Sequence, residues 1–314
     1  MATANTQIKV VSVNVSDKKG TIKSPVEFIE CNEKGIAGDA HAGSWHRQIS
    51  LLGVESFRKF EAEAKRTIQH GEFAENITTE GIILHETAPF DRLMIGKVEL
   101  EITQIGKKCH GPNCAIYQEV GDCVMPKEGI FARVIKGGKI KAGDKIVYQP
   151  KVFRVLVITL SDRASRGEYE DLSGPEIVSQ LEAFFSEHRW HHKIERKLIA
   201  DDPDSLRFIM RKAKEEKYDM VFTTGGTGIG PRDITPEVAR SLMDKEIPGI
   251  MESIRLKFGA DKPNALLSRG VAGLMGESLT YVLPGSVRAI KEYMGEIFNT
   301  LRHLIFMQRG VDIH

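Results

Sequence analysis

Short alternating runs fill the first half of the chain. Ile8 to Val15, Val26 to Ile29, Arg92 to Ile105, Ile130 to Ile135 and Lys139 to Val147 each read as strands. Turn signals separate them at Lys19-Gly20, Ser24-Pro25, Ile95-Gly96, Gly137-Gly138 and Ala142-Gly143-Asp144. Only Gly53 to Lys65 carries a helical stripe, with Val54, Phe57 and Phe60 on one face. Many short strands with few helices predict a compact, mostly-β barrel or sandwich over residues 1–149.

The pattern changes at Tyr148-Gln149-Pro150-Lys151, and residues 150–314 alternate strands with helices. Val152 to Leu160 is a near-continuous apolar run, as expected of a strand covered on both faces. Ser173-Gly174-Pro175-Glu176 opens a helix with Ile177, Val178, Leu181, Phe184 and Phe185 on one side. Glu195 to Ile199 reads as an edge strand, and Asp202-Pro203 caps a helix bearing Leu206, Ile209, Met210 and Ala213. His188, His191 and His192 around Trp190 read as a solvated loop. Tyr218 to Phe222 and Thr280 to Leu283 are further strands. A helical stretch starts at Ile250 after a Pro248-Gly249 turn, and a last helix starts at Ser286. This order predicts a three-layer α/β domain with a mostly parallel sheet, whose ligands sit beyond the C-terminal strand ends.

At 314 residues the chain holds two ordinary domains. Lys plus Arg (44) balance Asp plus Glu (43), which excludes a general nucleic-acid or membrane-surface binder, so any anion site is local. The four cysteines, Cys31, Cys109, Cys114 and Cys123, are too few for a disulfide scaffold. No basic leader precedes an apolar segment, and no stretch approaches the ~18 apolar residues of a membrane span. A soluble cytoplasmic protein is the expectation.

One stretch carries the chemistry. Thr223-Thr224-Gly225-Gly226-Thr227-Gly228 follows a strand and precedes Thr235-Pro236-Glu237, which reads as a helix start with Thr235 as N-cap. Glycines let backbone N–H groups approach a phosphate, threonine hydroxyls add donors, and the helix adds partial positive charge. The loop lacks the Lys-Ser/Thr pair of a Walker A motif and the glycine order of a dinucleotide fold. A plain turn is the bland alternative, and Arg232-Asp233 argues against it. By the strand-end rule, Ser161-Asp162, Asp201, Thr223 to Asp233 and Pro284-Gly285-Ser286 converge on one rim.

Ser161 to Ser165, Thr224 to Gly228 with Arg232 to Pro236, Asn264 to Arg269 and Leu283-Pro284-Gly285, in this order, resemble the molybdopterin adenylyltransferase family of molybdenum-cofactor biosynthesis. The resemblance covers Val152 to Gly310. It implies transfer of AMP from Mg-ATP to the terminal phosphate of molybdopterin, with pyrophosphate leaving, and a homotrimer. It also implies that Asp201 and Asp233 hold Mg2+ and the reacting phosphates, and that Thr224, Gly225, Gly226, Thr227 and Gly228 hold phosphate. Ser161, Asp162, Ser173, Gly174, Pro175, Arg232, Ser268, Pro284, Gly285 and Ser286 would line the nucleotide or pterin pocket. The family often has Pro-Asp where this chain has Ala200-Asp201-Asp202-Pro203, so Asp201 and Asp202 both stay open as the acidic residue.

Gly35 to His41, Trp45 to Gln48, Cys109 to Cys114 and Gly121 to Phe131 resemble the MOSC domain shared with molybdenum-cofactor sulfurases, over Ile8 to Tyr148. That resemblance implies binding of the pterin cofactor and a cysteine that carries sulfur or touches molybdenum. Cys123 fits that position best, with Cys109 and Cys114 as rivals, and His41, His46 and Arg47 are candidates for the cofactor phosphate. Cys31 is left as a structural residue. Together the halves imply a cofactor-assembly protein that meets other assembly proteins or molybdoenzymes. A non-catalytic carrier of molybdopterin is the alternative.

Overall fold

The computed structural model describes residues 7–108 and 124–312. The chain separates into two compact units, Met1–Lys151 with Val311–His314, and Val152–Gly310.

The first unit is a curled β structure. Its strands are β1 Lys9–Val15, β2 Ser24–Val26, β3 Phe28–Asn32, β4 Gly35–Ile36, β5 Ile49–Gly53, β6 Ile77–Glu80, β7 Arg92–Ile95, β8 Val98–Ile105, β9 Ile130–Lys136, β10 Gly138–Lys141 and β11 Ile146–Gln149. An eight-stranded sheet runs β11-β7-β8-β9-β5-β6-β1-β2, and a three-stranded sheet runs β10-β3-β4. Hydrogen bonds from Ile146 N to Ile8 O (2.9 Å) and Val10 N to Asp144 O (2.8 Å) bring the far end of the large sheet back to β1. The run Arg92 to Ile105 is a hairpin of two strands, because Gly96, at φ 58°, turns the chain. Ile49, Leu51, Ile77, Leu93, Leu100, Ile102 and Ile130 fill the interior. Alternation along β3 puts Ile29 and Cys31 inside, and burial pushes the Cys31 thiol up to about 12, so it behaves as a small apolar residue. Helix α1, Val54–Ala64, packs Phe57 and Phe60 against Phe73, and a short helix α2, Met125–Glu128, precedes β9.

The second unit holds the strands β12 Val152–Leu160, β13 His191–Ile199, β14 Met220–Thr224, β15 Lys245–Glu246, β16 Ala272–Met275 and β17 Ser278–Leu283. Their order is β13-β12-β14-β17-β16-β15; the first four are parallel, β16 runs antiparallel to β17, and β15 runs antiparallel to β16. The helices are α3 Asp162–Ser165, α4 Ser173–Glu187, α5 Pro203–Glu215, α6 Thr235–Leu242, α7 Pro248–Gly259 and α8 Val287–Gln308. β12 is buried from Val155 to Leu160 because both of its faces are covered there. Leu156, Ile158 and Leu160 pack with Leu206 and Met210 of α5 and with Val238 and Ala239 of α6. Phe153, on the opposite side, meets Phe185 of α4.

Three local expectations are corrected. Pro248 starts α7 rather than a turn before it. β13 begins at His191, not Glu195. Trp190 is not in a solvated loop: it is 4% exposed, with its ring 5.0 Å from Phe153 and 5.1 Å from His188. Arg189, at φ 57°, turns the chain so that the indole falls under the sheet.

Candidate active site

β13 and β14 flank β12 on opposite sides, so the chain leaves β12 in both directions across the sheet. A crevice opens at such a switch point, beyond the C-terminal strand ends. Leu160, Ile199, Thr224 and Leu283 end the four parallel strands, and the predicted residues follow them.

The glycine loop is shaped by close approach. Gly225 has φ 101°, and a Cβ there would lie 2.2 Å from Leu160 O; Gly226 has φ 61°, and its Cβ would lie 2.4 Å from Thr235 Oγ1. Only glycine accepts either position. Thr224 Oγ1 donates to Pro284 O (2.9 Å) and Gly225 N to Leu283 O (3.1 Å), so these two groups tie β14 to β17 and do not face a ligand. The amides of Gly226, Thr227 and Gly228 donate to no group among the described residues, which leaves them for an anion. Thr235 is not the N-cap: Ile234 holds that place, Thr235 N donates to Gly226 O (3.2 Å), and its hydroxyl is buried without a hydrogen-bond partner among the described residues.

The carboxylates interlock. Asp162 N donates to Asp201 Oδ2 (3.0 Å), and Asp201 N donates to Asp162 Oδ1 (3.1 Å). Arg232 reaches the same Asp162 at 2.7 Å. Asp233 Oδ2 accepts from Gly230 N at 2.8 Å. Asp202 turns away and caps α5 by accepting from Ser205 N at 2.8 Å. Ser161 caps α3 and shares a hydrogen bond with Tyr169 (2.7 Å), while Ser286 caps α8. Ser268 lies in the segment after α7, next to Arg269, whose Nε donates to Gly228 O at 2.7 Å.

Two residues here were not singled out in the sequence. Asp171 accepts from Ser173 N, Ser173 Oγ and Gly174 N at 2.9–3.0 Å, and from Thr159 Oγ1 at 2.8 Å. Burial would raise its carboxyl, but the hydrogen bonds from Gly174, Ser173, Thr159 and Arg196 outweigh it and hold the group below the usual range. Asp171 thus sets the Ser173-Gly174-Pro175 turn; its place two residues before that motif was the available signal. Arg269 is the other, and its signal was the quoted Asn264 to Arg269 stretch.

Among the described residues no three His, Cys, Asp or Glu side chains are grouped to hold a metal ion. Mg2+ does not require such a cage, since it takes one or two carboxylates and completes its shell with phosphate oxygens and water. Asp201 and Asp233, two hard oxygen donors on the same rim, fit it.

In the first unit, Cys109, Cys114 and Cys123 lie outside the described residues. His41 is half-buried, with Nδ1 3.3 Å from both Asp39 Oδ1 and Lys23 Nζ. Arg47 lies over the Trp45 ring, 4.9 Å from its centre. Beneath them, Lys23 and Asp39 form a fully buried ion pair at 2.5 Å, and Asp39 also accepts from Asn76 at 2.9 Å.

Residues 156–303 match the family described as "Probable molybdopterin binding domain", and residues 38–147 match the MOSC domain. The molybdopterin adenylyltransferase of Helicobacter pylori strain J99 is 37% identical over 156 residues, which is 49% of this chain and 86% of that protein. The chain belongs to the molybdopterin adenylyltransferase family. Membership rests on the second unit, and the family is one of nucleotidyltransferases. Gephyrin of Dictyostelium discoideum is 39% identical over 155 residues, where the chain spans 48% of itself but only 21% of gephyrin. The solved tungsten cofactor synthesizing protein MoaB from Pyrococcus furiosus is 35% identical, with a TM-score of 0.45, covering 51% of this chain and 99% of its own. A MOSC domain in the first unit therefore accompanies an adenylyltransferase-family domain in the second. No helix among the described residues is long and apolar enough to cross a membrane.

Proposed function

We propose that the second unit adenylylates molybdopterin with Mg2+ and ATP. A terminal phosphate oxygen of the pterin attacks the α-phosphorus of ATP, the α–β bridging P–O bond breaks, and pyrophosphate leaves. The attacking oxygen is already anionic, so no general base is required; positioning and charge stabilisation carry the step. Gly226, Thr227 and Gly228 offer amides to phosphate. Asp201 and Asp233 would hold Mg2+, which supplies positive charge to the phosphate oxygens. Ser161, Asp162, the Ser173-Gly174-Pro175 turn, Arg232, Ser268 and Pro284-Gly285-Ser286 would border the nucleotide and the pterin.

The observation that carries this reading is the reciprocal Asp162–Asp201 contact joined through Arg232 to the glycine loop, which gathers acids, a base and free amides on one rim. Incubation with molybdopterin, Mg2+ and ATP should release pyrophosphate and adenylylated pterin, and Asp233→Ala should lower the rate by about 100-fold or more. Full activity in that variant refutes the assignment. Tight pterin binding by wild type without pyrophosphate release favours the carrier.

For the first unit the proposed role is binding the finished cofactor or handling its sulfur. Its MOSC match and the His41 and Arg47 side chains support cofactor binding. We assign the protein to the cytoplasm, acting as a homotrimer and handing cofactor to assembly proteins or molybdoenzymes. Light scattering reads the trimer, and persulfide labelling of Cys109→Ser, Cys114→Ser and Cys123→Ser chains reads the thiol role.

A further inference from the structure

A single guanidinium closes the loop that carries Asp233. Arg269 Nε donates to Gly228 O at 2.7 Å, and one Nη donates to Asp233 O at 2.6 Å. The other Nη pairs with Glu237 in the first turn of α6, and the Arg269 amide donates to Thr227 O at 3.2 Å. Both ends of Gly228 to Asp233 are therefore held by one planar fork. Between them Ile229 is 80% exposed and Arg232 also faces solvent, so the middle of the loop has little packing to fix it.

The strut is itself anchored. Arg255 on α7 donates to Ser268 O (3.4 Å) and Gly270 O (3.2 Å). A Cβ at Gly270 would lie 2.6 Å from Val282 O, so the backbone there runs against β17, and Val282 N donates to Val271 O at 2.8 Å. Ser268 to Val271 is thus fixed to a strand and a helix before Arg269 reaches across. A guanidinium meets several carbonyls at once with its directed donors, which an ammonium on a flexible stem does not reproduce.

We propose that Arg269 is a positioning residue, which sets the Asp233 carboxylate for the metal-bound nucleotide by tying both ends of the Gly228 to Asp233 loop. This rests on the role proposed above for Asp233. Removing the fork frees two carbonyls on a half-exposed segment, so the fold should survive while the carboxylate loses its fixed place.

The test uses the full chain with Arg269→Ala, Arg269→Lys, Asp233→Ala and the Arg269→Ala/Asp233→Ala double variant. In ligand-free protein, hydrogen exchange at residues 226–234 should speed up at least tenfold in Arg269→Ala, with the other strand-end segments unchanged. Pyrophosphate release should fall about 30-fold or more in Arg269→Ala and recover only partly in Arg269→Lys. The double variant should be no slower than Asp233→Ala alone, because residues acting as one unit are non-additive. Unchanged loop exchange, or additive losses in the double variant, overturns the proposal. A wild-type chain that binds Mg2+-ATP but makes no adenylylated pterin instead removes the proposed function. The same four-variant cycle read as Mg2+-ATP affinity then decides Arg269, with additivity again counting against it.

Discussion

At Gly225 a side chain has nowhere to go. The backbone angle excludes it, and the carbonyl of Leu160 occupies the space a Cβ would need. Gly225→Ala should therefore lose about 1–3 kcal/mol from backbone strain alone, read by urea denaturation, and should lose pyrophosphate release with it. A different kind of constraint acts at Glu75, which is fully buried near Lys23 and Asp39 and accepts from Gly71 N and Thr78 Oγ1. Burial, opposed by those hydrogen bonds, pushes its carboxyl up to about 7. A carboxyl raised in the fold favours the protonated form, so its contribution is most favourable below pH ~4.5 and declines as pH rises toward 7. Glu75→Gln should remove that decline. Relative to wild type it gains stability between pH 5 and 7, of the order of a few kcal/mol by pH 8, measured as the difference between two denaturation series.

Among elements, the ones legible in the sequence were those whose apolar pattern and punctuation agree. β12 reads as a doubly covered strand because every residue from Val155 to Leu160 is buried, and Ser286 reads as a cap because it is one. The elements that were misread depend on contacts distant in sequence. Trp190 flanked by three histidines looks solvated until Phe153 and Phe184 are folded around it, and β13 gains its first turns of strand from pairing with β12 along its whole length. Thr235 resembles an N-cap locally but is claimed by Gly226. In the site, the residue types and their gathering on one rim could be foreseen from strand ends. The supporting contact of Arg269 to Gly228 could not, since it links segments 41 residues apart, whereas Asp171 lies two residues before the motif it serves. Asp171 belongs to this scale because it starts α4. Asp171→Ala should cost about 1–2 kcal/mol by leaving the first amides of α4 without their acceptor, and the loss should shrink as pH falls below ~3.9, where the unfolded chain takes up a proton that the folded carboxylate, held lower, resists. Thermal melts at pH 7 and pH 3 check both parts.

For the whole molecule, the second unit matches most of a relative's length by itself, and it holds every residue of the proposed adenylylation site. A fragment of residues 152–310 should therefore fold, with cooperative unfolding and pyrophosphate release within about threefold of the full chain. Loss of folding in that fragment would show that the first unit is needed for stability. The nine-residue β13, at the margin of the six-stranded sheet, bears on solubility. Among the described residues no strand pairs with its outer edge, whose amides and carbonyls are a template on which another chain could add a strand, and Lys193, Glu195, Arg196 and Lys197 place charge along it. Neutralising Lys193 and Lys197 to valine should leave the active rim intact yet raise turbidity on concentration, because the sheet would then offer its open margin to its own copies.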